Sequence, residues 1–173
     1  IPTVYLDAGL AFGSGTHPTT RLCLEWLEAN ANRAPERFLD YGCGSGILAL
    51  AATAMGNLGY AVDNDTQAID SAVSNRDFNQ IDADMLSILS VSDWYSKKNS
   101  LSGSFDFVIA NIMMKTVIDL RAELIEMLRS DGTIVLSGIL VDQVAAVRSC
   151  FDEITFEEPV DKGGWVRLVG SLG

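Results

Sequence analysis

Leu39-Asp-Tyr-Gly-Cys-Gly-Ser-Gly46 runs from an apolar stretch through three alternating glycines into an Ala/Leu-rich segment. A strand, a tight turn and a helix in that order leave few folds open. Glycine at 42, 44 and 46 admits positive φ and lets a ligand approach the backbone. The amino end of the helix that follows offers unpaired N–H groups to an anionic or polar ligand. Asp63 closes the next apolar run, twenty-one residues beyond Gly42. From that position a carboxylate accepts the hydroxyls of an adenosine ribose.

The rest of the chain repeats the alternation. Arg37–Tyr41 reads as the first strand, Gly46–Met55 as a helix stopped by Gly56, and Gly59–Val62 as the second strand. Thr66 opens a helix with Ile69, Ala72 and Val73 at helical spacing. Met85–Val91 is a weaker strand, and Ser92–Ser104, with five serines, reads as a surface loop. Phe105–Ala110 is a buried strand followed by Asn111. Met113, Val117, Leu120, Leu124 and Met127 step by four and three, which predicts one amphipathic helix. Asp131-Gly132 ends it, Thr133–Leu136 is the next strand, and Val141–Cys150 a further helix. Glu153–Glu157 and Trp165–Gly170 flank Asp161-Lys-Gly-Gly164 as a long hairpin. The expected fold is α/β, one doubly wound, mostly parallel sheet closing on a carboxyl-terminal antiparallel hairpin. Ligands bind such sheets at the carboxyl ends of the strands, where Asp40, Asp63 and Asn111 fall.

Charge excludes one class of function. The 173 residues carry 12 basic and 23 acidic side chains, a net of −11, which argues against gripping nucleic acid through its phosphates. A negative field steers in a basic protein instead. Cys23, Cys43 and Cys150 form no CxxC, so neither a disulfide framework nor a metal site is indicated. The longest uncharged run, Gly42 to Val62, has the length of a membrane span, but five glycines and Asn57 interrupt it. It reads as a buried turn, helix and strand. The opening residues do not read as a signal peptide, and a first residue Ile1 in place of Met points to a chain cut from something longer.

The dinucleotide fingerprint G-x-G-x-x-G would need glycine at 47, where this chain has Ile47. The G-x-G-x-G spacing favours S-adenosylmethionine over a nicotinamide cofactor. Four stretches then carry a resemblance: Leu6-Asp-Ala-Gly-Leu-Ala-Phe-Gly-Ser-Gly-Thr-His-Pro-Thr-Thr20, Asp40-Tyr-Gly-Cys-Gly-Ser-Gly-Ile-Leu48, Ala110-Asn-Ile112 and Leu136-Ser-Gly-Ile-Leu140. On these the sequence resembles the bacterial ribosomal-protein methyltransferases of the PrmA type. The resemblance implies a Rossmann-like class I methyltransferase with a seven-stranded sheet. It also implies S-adenosylmethionine as cofactor, with S-adenosylhomocysteine as product. The methyl groups would go to lysine or amino-terminal amines of the eleventh large-subunit ribosomal protein, in a bacterial cytoplasm or an organelle of bacterial descent.

The family's cofactor positions fall on Thr20, Gly42, Asp63 and Asn111. Thr20 offers a hydroxyl and Gly42 a close backbone at the methionine end, while Asp63 takes the ribose. Asn111 stands beside the departing methyl and is the expected catalytic residue, with both an amide donor and a carbonyl acceptor. Asp40 is a further candidate, for the cofactor's ammonium group. Two departures stand out: Asp63-Asn-Asp-Thr66 lacks the family's proline, and Met113-Met-Lys-Thr116 replaces Leu-Ala-Gly-Pro. The family also carries an amino-terminal recognition domain to which nothing here corresponds, so the expectation is one methyltransferase domain over residues 1–173.

His17 is the one histidine, and its expected role is to hold the loop before Pro18, a general base being the alternative. Cys43 reads as structural, because methyl transfer from a sulfonium needs no covalent intermediate. Met113 and Met114 read as core and cleft lining, and Lys97-Lys98 as a solvated surface. The rival function is a non-catalytic, methyltransferase-like scaffold that binds a ribosomal or other protein, and the altered residues after Asn111 motivate it.

Overall fold

The computed structural model describes residues 2–7 and 15–173. Residues 8–14, the middle of the Leu6–Thr20 motif, lie outside the described residues. Five strands, β1 (Arg37–Tyr41), β2 (Leu58–Asp63), β3 (Leu86–Ser90), β4 (Phe105–Asn111) and β5 (Leu128–Leu140), pair in parallel. Three more, β6 (Ile154–Phe156), β7 (Val160–Lys162) and β8 (Trp165–Leu172), are antiparallel to their partners. The order is β3-β2-β1-β4-β5-β8-β6, with β7 also paired to β8. Glu157-Glu158-Pro159 splits one hairpin arm into β6 and β7, so the sheet has seven strand positions, as expected.

Successive side chains on a strand point to opposite faces, and both faces here are apolar. Phe38, Phe107 and Ile109 pack toward α1 (Pro18–Ala29), α2 (Ile47–Ala54) and α3 (Thr66–Phe78). Leu39, Val108 and Ala110 pack toward α4 (Val91–Lys97), α5 (Met114–Asp119), α6 (Arg121–Met127) and α7 (Val144–Cys150). Near-continuous apolar runs in the strands follow from this two-sided burial.

The helix expected to stop at Asp131-Gly132 gives way to β5 already at Leu128, and two further elements differ from the sequence reading. Ser92–Ser104 is not a surface loop but α4 followed by a 3-10 turn at Lys98–Ser100. Ser90 caps α4 by accepting the Asp93 N–H at 3.1 Å. Three of the five serines that suggested a loop bond back to local carbonyls, Ser96 to Ser92, Ser100 to Lys97 and Ser104 to Leu101, while Ser102 donates to the Glu126 carbonyl on α6. Trp94 is fully buried and donates its indole N–H to Glu123 at 2.6 Å. The second difference is a break at Leu120, which divides the helix expected over Met113–Met127 into α5 and α6. Val117, Leu124 and Met127 share one face across the break, so their spacing is that of one helix.

The buried indole makes the first difference measurable. Trp94→Ala is expected to cost about 3–5 kcal/mol of stability, the range for emptying a buried aromatic site. In a surface loop the same change stays within about 0.5 kcal/mol, and urea unfolding of the two proteins decides between these outcomes.

Candidate functional site

The carboxyl ends of β1, β2, β4 and β5 meet around the glycine loop. Gly42 takes φ +79° and donates its N–H to Val62 O at 2.7 Å, and the Cys43 N–H shares that acceptor at 3.1 Å. Asp63 then fixes the loop from the neighbouring strand. One of its oxygens accepts the Gly44 N–H at 2.8 Å and the other the Asp65 N–H at 3.0 Å. Asp65 in turn caps α3 through the Gln67 N–H at 2.9 Å. The helix therefore begins at Thr66 without the proline that the resemblance led one to expect.

Asp40 is 1% exposed. Its Oδ2 accepts the Ala49 N–H at 3.1 Å, while its Oδ1 is buried with no partner. Burial pushes the carboxyl from an ordinary 3.8 up to about 7, against the lowering effect of the Ala49 bond, and the nearby Asp63 adds to the rise. A buried acceptor left open in a cavity wall is suited to a cationic donor.

Two cavities adjoin at Gly42, Ile112 and Met113. The first, about 300 Å³, is lined also by Thr20, Asp40, Asn111, Gly138 and Trp165. The second, about 500 Å³, is lined by Tyr41, Asp63, Asn64, Val91, Tyr95 and Thr116 among others. All four cofactor positions expected from the sequence thus border one composite cleft: Thr20 and Asn111 on the first cavity, Asp63 on the second, Gly42 on both. Asn111 Nδ2 reaches Thr20 Oγ1 at 3.5 Å across 91 residues of sequence. Thr20 is held there because α1 is anchored to the terminal hairpin. Arg167 donates to Leu22 O at 2.6 Å, and Lys162 pairs with Glu25.

Ile112 and Gly138 had no assigned role, and they form the floor of the cleft. A Cβ on Gly42 would stand 2.4 Å from Ile112 Cγ2, and one on Gly138 2.5 Å from Ile112 O. The Ile112 N–H donates to Ser137 O at 3.2 Å. This packing gives Leu136-Ser-Gly-Ile-Leu140 a physical reason: the backbone at Gly138, at φ +82°, must lie against the peptide that follows Asn111. His17 caps α1, its Nδ1 meeting Thr19 Oγ1 at 2.8 Å, and its ring packs edge-on against Trp165 at 5.1 Å. Those contacts match the holding role. Burial holds the Cys43 thiol well above its ordinary range and pushes Cys23 up to about 12, so neither thiol is poised as a nucleophile. Met113 is 74% exposed at the rim of both cavities, while Met114 packs against the core. No cluster of three metal-ligating side chains occurs among the described residues. Nor is any of their helices long and apolar enough to cross a membrane.

Against known proteins, the family model for ribosomal protein L11 methyltransferase (PrmA) matches residues 3–172. The chain belongs to that family. A ribosomal protein L11 methyltransferase from Thiobacillus denitrificans is 44% identical over 168 residues, covering 95% of this chain and 53% of that protein. One from Methylococcus capsulatus is 46% identical over 171 residues, covering 95% and 55%. The chain therefore spans about half the length of the curated relatives it matches. The crystal structure of a ribosomal protein L11 methylase from Lactobacillus delbrueckii subsp. bulgaricus superposes with a TM-score of 0.82 at 30% identity, covering 98% of this chain and 84% of that one. The Rossmann-like methyltransferase fold of the family is thus the fold of this chain.

Asp40 makes the ligand-free protein sensitive to pH. A carboxyl raised on folding favours the folded state below its unfolded value, and that contribution is lost as pH rises through the folded value. The window here runs from 3.8 to about 7. At roughly 1.4 kcal/mol per pH unit, the loss is about 4 kcal/mol. Asp40→Asn should therefore gain stability relative to the wild type as pH rises across this window, with the gap closing toward pH 4, in paired urea titrations.

Proposed function

We propose that residues 1–173 form one S-adenosylmethionine-dependent methyltransferase domain that methylates lysine or amino-terminal amines of ribosomal protein L11. The observation that carries this reading is the convergence of Thr20, Gly42, Asp63 and Asn111 on one cleft, beside the unpartnered Asp40 oxygen. The names of the relatives support the substrate. The net charge of −11 suits a basic partner and disfavours nucleic acid. Work on a ribosomal protein would place the enzyme in a bacterial cytoplasm or an organelle descended from one.

The residues fit the cofactor by their chemistry. Asp40 Oδ1 is an open acceptor for an ammonium group, and Thr20 offers a hydroxyl on the same cavity. Asp63, on the second cavity, spends one lone pair of each oxygen on backbone N–H groups and keeps others for ribose hydroxyls. When bound, S-adenosylmethionine supplies a methyl group open to direct displacement by a neutral amine. Asn111 commits its NH2 group to Thr20, which leaves its carbonyl oxygen to accept an N–H of the acceptor and aim the nitrogen lone pair. The largely apolar lining from Ile47, Leu48, Ile112 and Trp165 disfavours the charged form of that amine. The scaffold alternative rests on Met113-Met-Lys-Thr116, yet that segment forms the cleft rim and leaves the Thr20–Asn111 pair in place.

S-adenosylhomocysteine should raise the melting temperature, by an amount equivalent to about 2.7 kcal/mol at a hundredfold excess over its Kd, and NAD should do much less. A stronger effect from NAD would sink the cofactor reading. Asp63→Ala should weaken S-adenosylhomocysteine binding by about tenfold or more in calorimetry, given the strength of hydrogen bonds to charged groups. Asn111→Ala should lower turnover of a basic ribosomal substrate more than it lowers cofactor affinity. Equal losses would reduce Asn111 to a cofactor contact.

A further inference from the structure

One carboxylate in the molecule is built into the wall of the second cavity without touching it. Glu123, on α6, is 9% exposed. Its Oε1 accepts the Trp94 indole N–H at 2.6 Å, and its Oε2 accepts the Tyr95 hydroxyl at 3.2 Å. Lys98 brings its ammonium to 3.6 Å from Oε2 and to 5.1 Å from the centre of the Tyr95 ring. Trp94 and Tyr95 are consecutive on α4, so their side chains leave the helix in different directions, one into the core and one along the cavity. Trp94 is fully buried, whereas Tyr95 is 49% exposed and lines the cavity that Asp63 also lines.

A role confined to the core would need only the Trp94 bond. The second oxygen and the Lys98 ammonium are spent instead on the outward tyrosine. The core partner extends the same network to the other wall. The Trp94 ring packs edge-on against Tyr41 at 6.5 Å, and Tyr41 directly precedes Gly42 and lines the same cavity. Burial and the Glu123 carboxylate together hold the Tyr41 hydroxyl above its ordinary range, so it remains a neutral donor. A single buried acid therefore fixes two aromatic walls of a cavity whose third feature, Asp63, is suited to ribose hydroxyls.

We propose that Glu123 is a positioning residue that sets, through Tyr95 and Tyr41, which nucleoside base the second cavity admits. This rests on the cofactor reading given above. Tyr95 is the specificity-determining wall. Its ring is held by a hydrogen bond and a cation, so it excludes bases larger than adenine by contact and does not swing aside.

The test measures Kd by calorimetry for S-adenosylhomocysteine and for analogues enlarged on the base at N6, C2 or C8. The wild type, Tyr95→Ala, Tyr95→Phe and Glu123→Gln are compared, with Arg33→Ala, an ion-pair variant between α1 and β1, as control. For at least one enlarged analogue, the wild type should bind S-adenosylhomocysteine about a hundredfold more tightly, and Tyr95→Ala should narrow that ratio by at least about tenfold. Tyr95→Phe keeps the ring but loses the bond to Glu123, so it should narrow the ratio by a smaller factor that Glu123→Gln shares. Arg33→Ala should leave the ratio unchanged. Should Glu123→Gln fail to fold, the two Tyr95 variants decide, since that side chain is half exposed. A wild type that accepts every enlarged analogue equally, or ratios unmoved in the Tyr95 variants, would overturn the inference while the cofactor reading stands. Absence of S-adenosylhomocysteine binding by the wild type would overturn that reading, and this inference with it.

Discussion

Ile112 sits between two glycines, and that contact fixes where the other groups of the cleft can stand. The strand order places β4 between β1 and β5. The residue that follows β4 therefore lies between the loop after β1 and the end of β5. Its side chain fills the space of a Cβ on Gly42, and its peptide that of a Cβ on Gly138. Both glycines take positive φ, +79° and +82°, which an L side chain adopts only under strain. With Ile112 seated this way, Asn111 reaches Thr20 and the Gly42 backbone is open to a cavity on either side. Two of the four motif stretches thus contribute a glycine to one contact with a third.

Charge is placed around this packing at a cost to stability. Asp40 and Asp63 lie at the ends of adjacent strands, where the Asp63 carboxylate disfavours ionisation of Asp40. Asp63 is compensated by two backbone N–H groups, whereas Asp40 has one bond for two buried oxygens. An apolar residue at 40 would avoid the penalty of an unsatisfied buried acceptor. Local rules of this kind are broken where a ligand completes the structure. The open oxygen lies in the wall of the cavity that also holds Thr20 and Asn111, which is where a cationic group of the cofactor is expected.

The strands and their ends were legible because buried parallel strands leave short apolar runs that stop at glycine or at a polar residue. Arg37–Tyr41 coincides with β1, and Gly59–Val62 lies within β2. Thr20 and Asn111, however, are 91 residues apart, and only the family resemblance placed them on one site. The misread segment failed for a physical reason. Serine hydroxyls that bond to local carbonyls look in sequence like serines of a solvated loop. Trp94 and Leu101, both buried, were the contrary signal, large apolar side chains in a segment rich in serine. Reading that segment as a loop also hid Tyr95 and the network on Glu123. Gly138 leaves no such signal, because its partner is the Ile112 backbone just beyond β4 and no side-chain pattern records that contact.

The groups that line the first cavity also limit how a reaction there can be driven. His17 is committed to capping α1, the Cys43 thiol is held protonated by burial, and Asp40 is the group proposed above to take the cofactor's ammonium. With Asp40 occupied in that way, none of the cavity's other described side chains is set up to take a proton in the manner of a catalytic base. Acceleration must then come from holding two partners in line and from excluding water, effects that depend on rigid walls more than on reactive groups. The structure is built for that requirement. Thr20 is fixed by a helix that the terminal hairpin anchors, Ile112 is wedged between glycines, and Asp63 ties the loop to the next helix. An amine that arrives protonated gains nothing from such a site until it gives up its proton. Reaction in this cleft would therefore select the neutral fraction of the acceptor, and the apolar walls that would position the amine are the same walls that would raise this fraction.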